Sequence, residues 1–478
     1  MSNSLHGSKN PGGLIEVLKI ALPLVLSALS HALNLFTDRV MLNRYSQDAM
    51  AAAFPAGLTA FALSCFFLGT VGYSNSFVAQ YSGAKMYDRV GTAVWQGFFL
   101  AVFGGVVMAF SGIFAPEIFR WFGHAEHLQV LEVRYYRVVG CFTIVPLLLT
   151  ALLAFWGGRG KTMMVMAVNM LVVLCNIPLN YILIYGRKIN LISGVTVDIP
   201  EFGIVGAGWG TVTAGMIGCL VCLIAFFRAE NRKNYGTFGK IVDWDLFKRM
   251  LRFGSPNGMQ MFLDLTAFNV FVVVLGKISP EVLAASGVAF SVNALAFTPM
   301  IGMGQSVSIL TGQAVGAKDI PTAEKAVRSA RTLVWLYMGM MGIMFLFYPE
   351  PVFRIFGLEP GVVMELSRTM IKFIACYLLF DGLFIVYSSA IKGAGDTRFA
   401  MWVGVFMAWF TYALPCSAVY WYFHSESAVA RWGIVRAKEI CLWTMWSICV
   451  AYIVCCGLVF YIRYRLGAWK SMKVIEDR

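Results

Sequence analysis

Apolar positions along this chain of 478 residues form long stretches, and polar positions are confined to short segments between them. Each stretch holds roughly 20 or more residues, enough for a helix to cross a hydrocarbon layer about 30 Å thick. In lipid such a segment must satisfy its own backbone hydrogen bonds, so we predict helices. The alternating ten-residue strands of a β-barrel are not seen. Twelve spans are predicted, near residues 14–40, 51–79, 93–115, 138–157, 163–185, 205–227, 250–276, 284–312, 332–353, 372–391, 399–422 and 440–462.

The composition agrees with a polytopic membrane protein. Hydrophobic residues make up 59% and charged residues 13%, against about 45–50% and about 25% in soluble proteins. The net charge of +13 does not indicate a nucleic-acid partner, because the basic residues concentrate in alternate loops. This asymmetry predicts cytoplasmic termini in a bacterial inner (plasma) membrane, with lipid around the chain. The densest basic cluster is the loop between spans six and seven, with Arg228, Arg232, Lys233, Lys240, Lys248, Arg249 and Arg252.

The two halves of the chain repeat each other. Placing Pro23 on Pro256 gives an offset of 233 residues, and the same offset aligns several further positions. We predict an N-terminal six-helix lobe (1–230), a cytoplasmic linker (231–249) and a C-terminal six-helix lobe (250–478). Six spans is an even number, so both copies enter the membrane the same way, as two parallel bundles related by a pseudo-two-fold axis along the membrane normal. The matched positions are Gln80, Gly83, Ala84 and Lys85 with Gln313, Gly316, Ala317 and Lys318.

Three carboxylates interrupt the apolar spans: Asp38, Asp264 and Asp381. An ionisable group inside a span costs at least about 2.5–3.5 kcal/mol on insertion, so it indicates function. Such a carboxylate can take up a proton or hold Na⁺ with neighbouring oxygens. We predict a cation-coupling site, with Na⁺ or a proton at Asp264 and Asp381. For Asp38, next to Arg39, a solvated helix end is an alternative.

Helical spacing adds neighbours to these acids. Asn34, Gln260 and Tyr377 each precede an acid by four residues and share its helix face. His31 is the repeat counterpart of Asp264 and lies on the Asp38 face; it either lines a cavity or is a neutral core histidine. Substrate-cavity candidates are Gln260, Met259 and Phe290, with helix packing as the alternative for the latter two. His124, Glu126 and His127 form only a weak metal-like group.

No Walker loop, zincin motif or nucleophile elbow is present, so we do not expect an enzyme. One alternative is a flippase for lipid-linked sugars, whose cavity needs Lys and Arg in mid-span. Another is a polytopic membrane enzyme, which needs a convergent cluster of catalytic groups. The acids here lie one per helix, and neither requirement is met in the sequence.

The chain resembles the multidrug and toxic compound extrusion (MATE) family, and within it the NorM branch. Asp38 in TDRVM matches the family's first-helix acid, and NIPLNYILIYG matches its fifth-helix signature. Asp264 in FLDLTAF stands where the family usually has Glu. The polar positions carried over from these motifs are Asn176, Asn180 and Thr211, with Tyr377 and Asp381 as the tenth-helix pair.

The resemblance implies secondary active efflux of amphipathic or cationic small molecules in exchange for Na⁺ or H⁺. It implies cation coupling at Asp264, Asp381, Tyr377 and Asp38. Asn176, Asn180 and Thr211, together with His31 and Asn34, would form a secondary polar site in the N-terminal lobe. No cofactor beyond the coupling ion is expected, and we expect a monomer. The shorter acid at position 264 leaves the choice of ion open.

Overall fold

The computed structural model describes residues 10–190, 196–355 and 360–476. Within these residues, twelve helices are long and apolar enough to cross a membrane, which confirms the predicted fold class. They are α1 (Leu14–Tyr45), α2 (Gln47–Gly83), α3 (Asp88–Ser111), α4 (Glu126–Gly157), α5 (Thr162–Tyr185), α6 (Gly203–Phe226), α7 (Trp244–Ile278), α8 (Pro280–Gly316), α9 (Ile320–Phe347), α10 (Val362–Ala394), α11 (Thr397–Phe423) and α12 (Ile434–Leu466).

Short elements connect these helices at both ends of the bundle. The antiparallel hairpin of β1 (Arg187–Asn190) and β2 (Thr196–Ile199) joins α5 to α6 and was not predicted. We call the end with this hairpin the hairpin end, and the opposite end, with residues 227–243 between α6 and α7, the link end. The short helices are Ala115–Phe122, Ala229–Tyr235, Glu350–Ile355, Glu426–Trp432 and the 3-10 turn Ala468–Ser471.

Three spans contain irregular turns. In α2 the helix is divided at Tyr73, and in α4 a 3-10 turn, Cys141–Thr143, separates two segments. A π-helical segment, Met407–Ala413, lies in the middle of α11. Such segments widen the helix locally and are frequent at functional sites. Pro23 and Pro256 lie inside α1 and α7, which continue through them.

Several helices extend beyond the predicted spans. For example, α4, α9 and α10 begin 10 to 12 residues earlier than the predicted starts at 138, 332 and 372. The hydropathy pattern marks only the part of a helix that suits the hydrocarbon layer, whereas the polar extensions lie outside that layer. At α9 the Asp319 side chain accepts a hydrogen bond from Thr322 N, and Pro321 occupies the first turn.

The repeat positions meet across the link end. Gln80 Nε2 donates to the carbonyls of Gly393 and Ala394, both at 3.0 Å, and Gln313 Nε2 donates to the Gly158 carbonyl at 2.7 Å. In both copies the same side chain therefore caps a helix end of the opposite half. Lys85 and Lys318 also share an unusual backbone conformation, with φ of 58° in each.

Backbone contact closes this end. A Cβ on Gly83 would lie 1.9 Å from the Gln313 carbonyl oxygen, and one on Gly316 would lie 2.1 Å from that of Gln80. Glycine is required at both positions because the backbones of the two halves touch there. The two halves thus meet tightly at the link end.

Candidate functional site

A chain of polar side chains runs through the N-terminal half. Asn180 Nδ2 donates to Asp38 Oδ1 at 2.5 Å and to Asn176 Oδ1 at 3.0 Å. Asn176 Nδ2 in turn donates to Thr211 Oγ1 at 3.2 Å, and the Thr211 hydroxyl donates to a carbonyl of its own helix. Asp38, Asn176 and Asn180 are all buried. The structure thus connects α1, α5 and α6 through residues that are far apart in sequence.

This network has spare acceptor oxygens. Among the described residues, Asn34 Oδ1 and Asn180 Oδ1 are buried and have no hydrogen-bond partner. Gly210 packs so closely on Asn180 that a Cβ there would overlap its amide oxygen. Buried acceptors without a donor are costly, and a bound cation or water can satisfy them. The Asn34 amide lies one turn before the Asp38 carboxylate on α1, and Asn180 donates to that carboxylate.

His31 lies on the same face of α1 as Ser27, Asn34 and Asp38. Those three side chains are buried, whereas His31 is exposed. The described residues therefore leave the His31 side chain partly uncovered between the turns of α1 that carry Ser27 and Asn34. This position is consistent with a cavity-lining role, which stays a prediction.

The Asp381 carboxyl lies in the apolar interior of the C-terminal half. Asp381 and Tyr377 are both buried on α10, one helical turn apart, and the two groups interact electrostatically. Two cysteines of α12, Cys449 and Cys456, lie within electrostatic range of the same carboxyl. The environment supplies apolar surface and weakly polar groups, so the charge of Asp381 needs a cation or a proton.

Asp264 on α7 has a different environment. Its Oδ1 atom is buried without a hydrogen-bond partner, and its side chain interacts with Gln260 one turn away. Lys392, near the end of α10, acts on it electrostatically. Cys456 of α12 interacts electrostatically with both Asp264 and Asp381, so α12 lies near both acids.

Lys392 was missed by sequence reasoning. Local helical spacing can indicate only partners three or four positions away on the same helix. Lys392 interacts electrostatically with Asp264 from another helix. Lys392 also lies near the end of α10 and therefore does not count as a residue in the middle of a span. The only available signal was its place in IKGAG, directly after the predicted tenth span, 372–391.

Aromatic residues fill the region around the π-helical segment. Trp409 Nε1 donates to the Leu263 carbonyl at 3.2 Å, directly before Asp264. Tyr412 stacks on Tyr452 with ring centroids 4.9 Å apart. Phe271, the repeat counterpart of Asp38, is buried against Tyr412. The π-helical segment thus places its side chains against the turn of α7 that carries Asp264.

The three substrate-cavity candidates have different surroundings. Gln260 is buried against Gly404 of α11. Phe290 is half-buried and stacks on Trp446 with centroids 5.6 Å apart, while Met259 is exposed. The structure therefore leaves Met259 accessible and gives Gln260 and Phe290 packing contacts.

An open cavity of about 910 Å³ lies at the hairpin end of the N-terminal half. It is bounded by α1, the end of α5 and the hairpin, and Thr37 on its wall is the neighbour of Asp38 in sequence. The Tyr185 hydroxyl donates to the Met41 carbonyl at 2.8 Å and holds α5 against α1 there. The charged residues that line the cavity are Arg44, Arg187, Asp198 and Glu201.

The weak metal-like group is distributed over separate contacts. His124 Nδ1 lies 2.6 Å from Glu132 Oε1, a buried carboxylate, and His127 lies 4.0 Å from Asp48. Among the described residues, no group of three His, Cys, Asp or Glu side chains is placed to hold a metal ion.

Comparison with known proteins places this geometry in a family. The MatE family profile matches the chain twice, over residues 23–182 and 256–416. The chain belongs to the MatE family. The resemblance stated from its sequence motifs is thereby confirmed.

Relatives in this family extend over most of the chain. A probable multidrug resistance protein NorM of Bradyrhizobium diazoefficiens is 26% identical over 87% of this chain and 89% of its own length. One of the same name from Thermotoga maritima is 24% identical over 96% and 94%. Each is named as a multidrug resistance protein, not as an enzyme.

Solved MatE-type structures share the fold. One described as the outward-facing conformation of a multidrug resistance MATE family transporter has a TM-score of 0.82 at 17% identity, covering 99% of this chain and 100% of that one. Another, described as MATE in the bent conformation, has a TM-score of 0.79 at 16% identity, covering 95% and 96%. The likeness concerns the arrangement of the helices.

Proposed function

We propose that this protein is a secondary active transporter that expels amphipathic or cationic small molecules in exchange for Na⁺ or H⁺. The observation that carries this is the buried Asp381 carboxyl among Tyr377, Cys449 and Cys456, in a chain of the MatE family. An ionised carboxylate costs several kcal/mol in such surroundings unless it is paired. Binding and release of one cation therefore changes the energy of this half substantially.

Coupling requires that the cation and the substrate favour different states. We infer that the substrate binds the cation-free protein and that the cation, on binding Asp264 and Asp381, displaces it. Tyr377 supplies a neutral oxygen beside Asp381, and Lys392 supplies a positive charge near Asp264 when the cation has left. A ligand shifts a conformational equilibrium only by its differential affinity for the two states.

The N-terminal network offers a second place for a cation. Asn34 and Asn180 present amide oxygens for which the described residues offer no hydrogen-bond donor, and the Asp38 carboxylate accepts from Asn180. His31 lies one turn from Asn34 on the accessible face of α1. We propose that protonation in this half tunes the affinity for substrate, while the C-terminal acids bind the driving ion.

The driving energy is sufficient for export. One monovalent cation entering down about 100 mV releases roughly 2.3 kcal/mol. A tenfold concentration gradient of the cation adds about 1.4 kcal/mol. The sum of about 3.7 kcal/mol supports a gradient of several hundredfold for a neutral substrate. One cation per cycle is therefore adequate for a neutral substrate. For a monovalent organic cation the exchange moves no net charge, and the concentration gradient of the driving cation alone supports about a tenfold gradient.

Transport in sealed vesicles, with Na⁺ and H⁺ gradients imposed separately, tests the proposal. We expect export of a fluorescent organic cation under one of the two gradients and its loss in Asp381→Asn. Asp48→Asn is the matched control, because it removes the same charge at an exposed position of the hairpin end. Export by the Asp381 variant at the rate and ion dependence of the wild type would exclude this residue from coupling.

We further propose that the chain acts as a monomer in a bacterial inner membrane, with both termini in the cytoplasm. The basic loop at 228–252 supports this orientation, because it lies at the same end as the start of α1 and the end of α12. The link end is then the cytoplasmic end and the hairpin end the outer one. The close contact of the halves at the link end supports a state that is closed toward the cytoplasm.

A further inference from the structure

The segment after α12 leaves its own half of the protein. We call residues 467–476 the tail. Near its start, Trp469 is buried and stacks on Tyr464 of α12, with ring centroids 5.1 Å apart. Lys470 Nζ pairs with Glu324 Oε1 of α9 at 2.5 Å. The first part of the tail is thus fixed to the C-terminal half.

The second part of the tail reaches the N-terminal half. Val474 is buried, and its N–H donates to Gln80 Oε1 at 2.9 Å. The same Gln80 donates through Nε2 to the end of α10, so Val474 joins the central contact between the halves. On its other side Val474 lies against Gly395, directly after α10. The tail therefore fills the seam at the link end.

Glu476 completes the bridge with charged contacts. Its Oε1 accepts from Arg89 Nη2 at 2.8 Å and Nε at 3.0 Å on α3. Its Oε2 accepts from the Tyr81 hydroxyl of α2 at 2.8 Å and pairs with Arg249 of α7. Arg89 also pairs with Asp243, the N-terminal cap of α7, at 2.8 Å. One carboxylate thus binds helices of both halves.

The repeat shows that this crossing is specific to the second copy. The equivalent segment after α6 is the link, and its Thr237 and Ile241 carbonyls accept hydrogen bonds from Trp95 and Gln96 of α3. The link therefore packs on the half that it follows. The tail, in contrast, spans the seam between the halves.

We propose that the tail is an intramolecular latch that holds the link end closed. Opening of this end separates α2 and α3 from α7 and α10, so Val474 and Glu476 must leave one side. The latch then favours the state that is open at the hairpin end and must be released in each cycle. This regulation rests on the proposed transport function, whereas the latch contact itself can be measured without transport.

Charge keeps the latch engaged over the physiological pH range. Burial of Glu476 opposes its ionisation, but hydrogen bonds from its own backbone N–H, Tyr81, Arg249 and Arg89 outweigh that effect and lower its pKa to about 2. For Asp243, burial is likewise outweighed by hydrogen bonds from Lys240, Leu246 N and Arg89, and the pKa is also about 2. Proton binding therefore does not release the latch, and conformational change must do so.

Hydrogen exchange of the purified full chain in lipid nanodiscs tests the latch. In Glu476→Gln we expect about tenfold faster exchange in peptides covering 77–83 and 387–395, equivalent to about 1.4 kcal/mol in the closing equilibrium. A chain truncated after Met472 should show the same or a larger effect. Glu439→Gln, an exposed change on α12, is the matched control and should exchange like the wild type.

The outcomes separate the latch from the proposed function. Faster hydrogen exchange in the truncated chain alone still supports the latch. It then assigns the stabilisation to the tail residues around Val474 and not to the Glu476 charge. Exchange within twofold of the wild type in both tail variants overturns the latch, whatever the vesicle assay gives. Equal acceleration in Glu439→Gln also overturns it, because the effect would then not be specific to the tail. Failure of wild-type export with faster exchange in the tail variants would overturn only the transport function.

Discussion

Replacement of Gly83 by alanine introduces one methyl group where the halves touch. The new Cβ would lie 1.9 Å from the Gln313 carbonyl oxygen and 2.9 Å from its Cα, and all three nearest atoms are backbone. A Cβ–oxygen contact needs roughly 3 Å or more, so the halves must move apart by about 1 Å at this point. No side chain can rotate away to relieve the overlap.

The energetic balance favours separation of the halves. Overpacking typically costs about 1–3 kcal/mol, and a clash between backbones belongs at the upper end of that range. Alanine gains about 1 kcal/mol over glycine in a helix interior, but Gly83 is the last residue of α2, so at most part of that gain offsets the cost. A net loss of about 1–2 kcal/mol in the closed state corresponds to a shift of about five- to thirtyfold toward separated halves.

The assay is export in vesicles combined with hydrogen exchange at residues 77–83. We expect Gly83→Ala to slow export and to speed exchange, and Gly316→Ala to do the same because its contact is the repeat equivalent. Gly339→Ala is the control, since a Cβ there meets nothing within 4 Å. Wild-type export and exchange in both seam variants would refute the close approach of the halves.

Four further predictions follow from the site and the topology. Asp264→Asn should retain substrate binding that no longer responds to Na⁺ or pH, as measured by titration in detergent; an unchanged ion response contradicts this. His31→Ala should alter the pH profile of export more than protein abundance, and an unchanged profile leaves only a core-packing role. A cysteine at Lys240 should react with impermeant reagents only from the cytoplasmic side, and labelling from outside contradicts the proposed orientation. Because Glu476 has its pKa lowered from an ordinary 4.5 to about 2, its contribution to the closed state is complete above about pH 4.5 and lost as the pH falls toward 2. The ratio of link-end exchange in Glu476→Gln to that in the wild type should therefore be constant between pH 5 and 9.

Much of the fold could be predicted because lipid makes secondary structure a local property. A stretch long enough to cross the membrane must be helical, so the twelve spans follow from hydropathy. The helix ends could not be predicted in the same way. Capping at Asp319 is a polar contact outside the hydrocarbon layer, and α4 starts at Glu126 without a side-chain cap. The π-helical segment in α11 also has no hydropathy signal.

The candidate site was predictable by residue type but not by partner. Asp38, Asp264 and Asp381 stand out because an ionisable residue within an apolar span is costly wherever it points. The Asn180 contact to Asp38 joins residues 142 positions apart. Motif resemblance indicated both residues but assigned them to different sites, because no local spacing rule connects α1 to α5. Lys392 was missed for the same reason.

The sequence by itself determined the number of spans, the two-fold repeat and the positions of the buried acids, because each depends on local composition or on internal similarity. Tertiary structure alone decided which neighbours the acids have, which end of the bundle is closed, and where the tail lies. Those features depend on contacts between helices of different halves, whose free energies are set by shape and charge across the seam. Val474 and Glu476 look like any short polar terminus in sequence, and only their contacts with Gln80, Arg89 and Arg249 distinguish them.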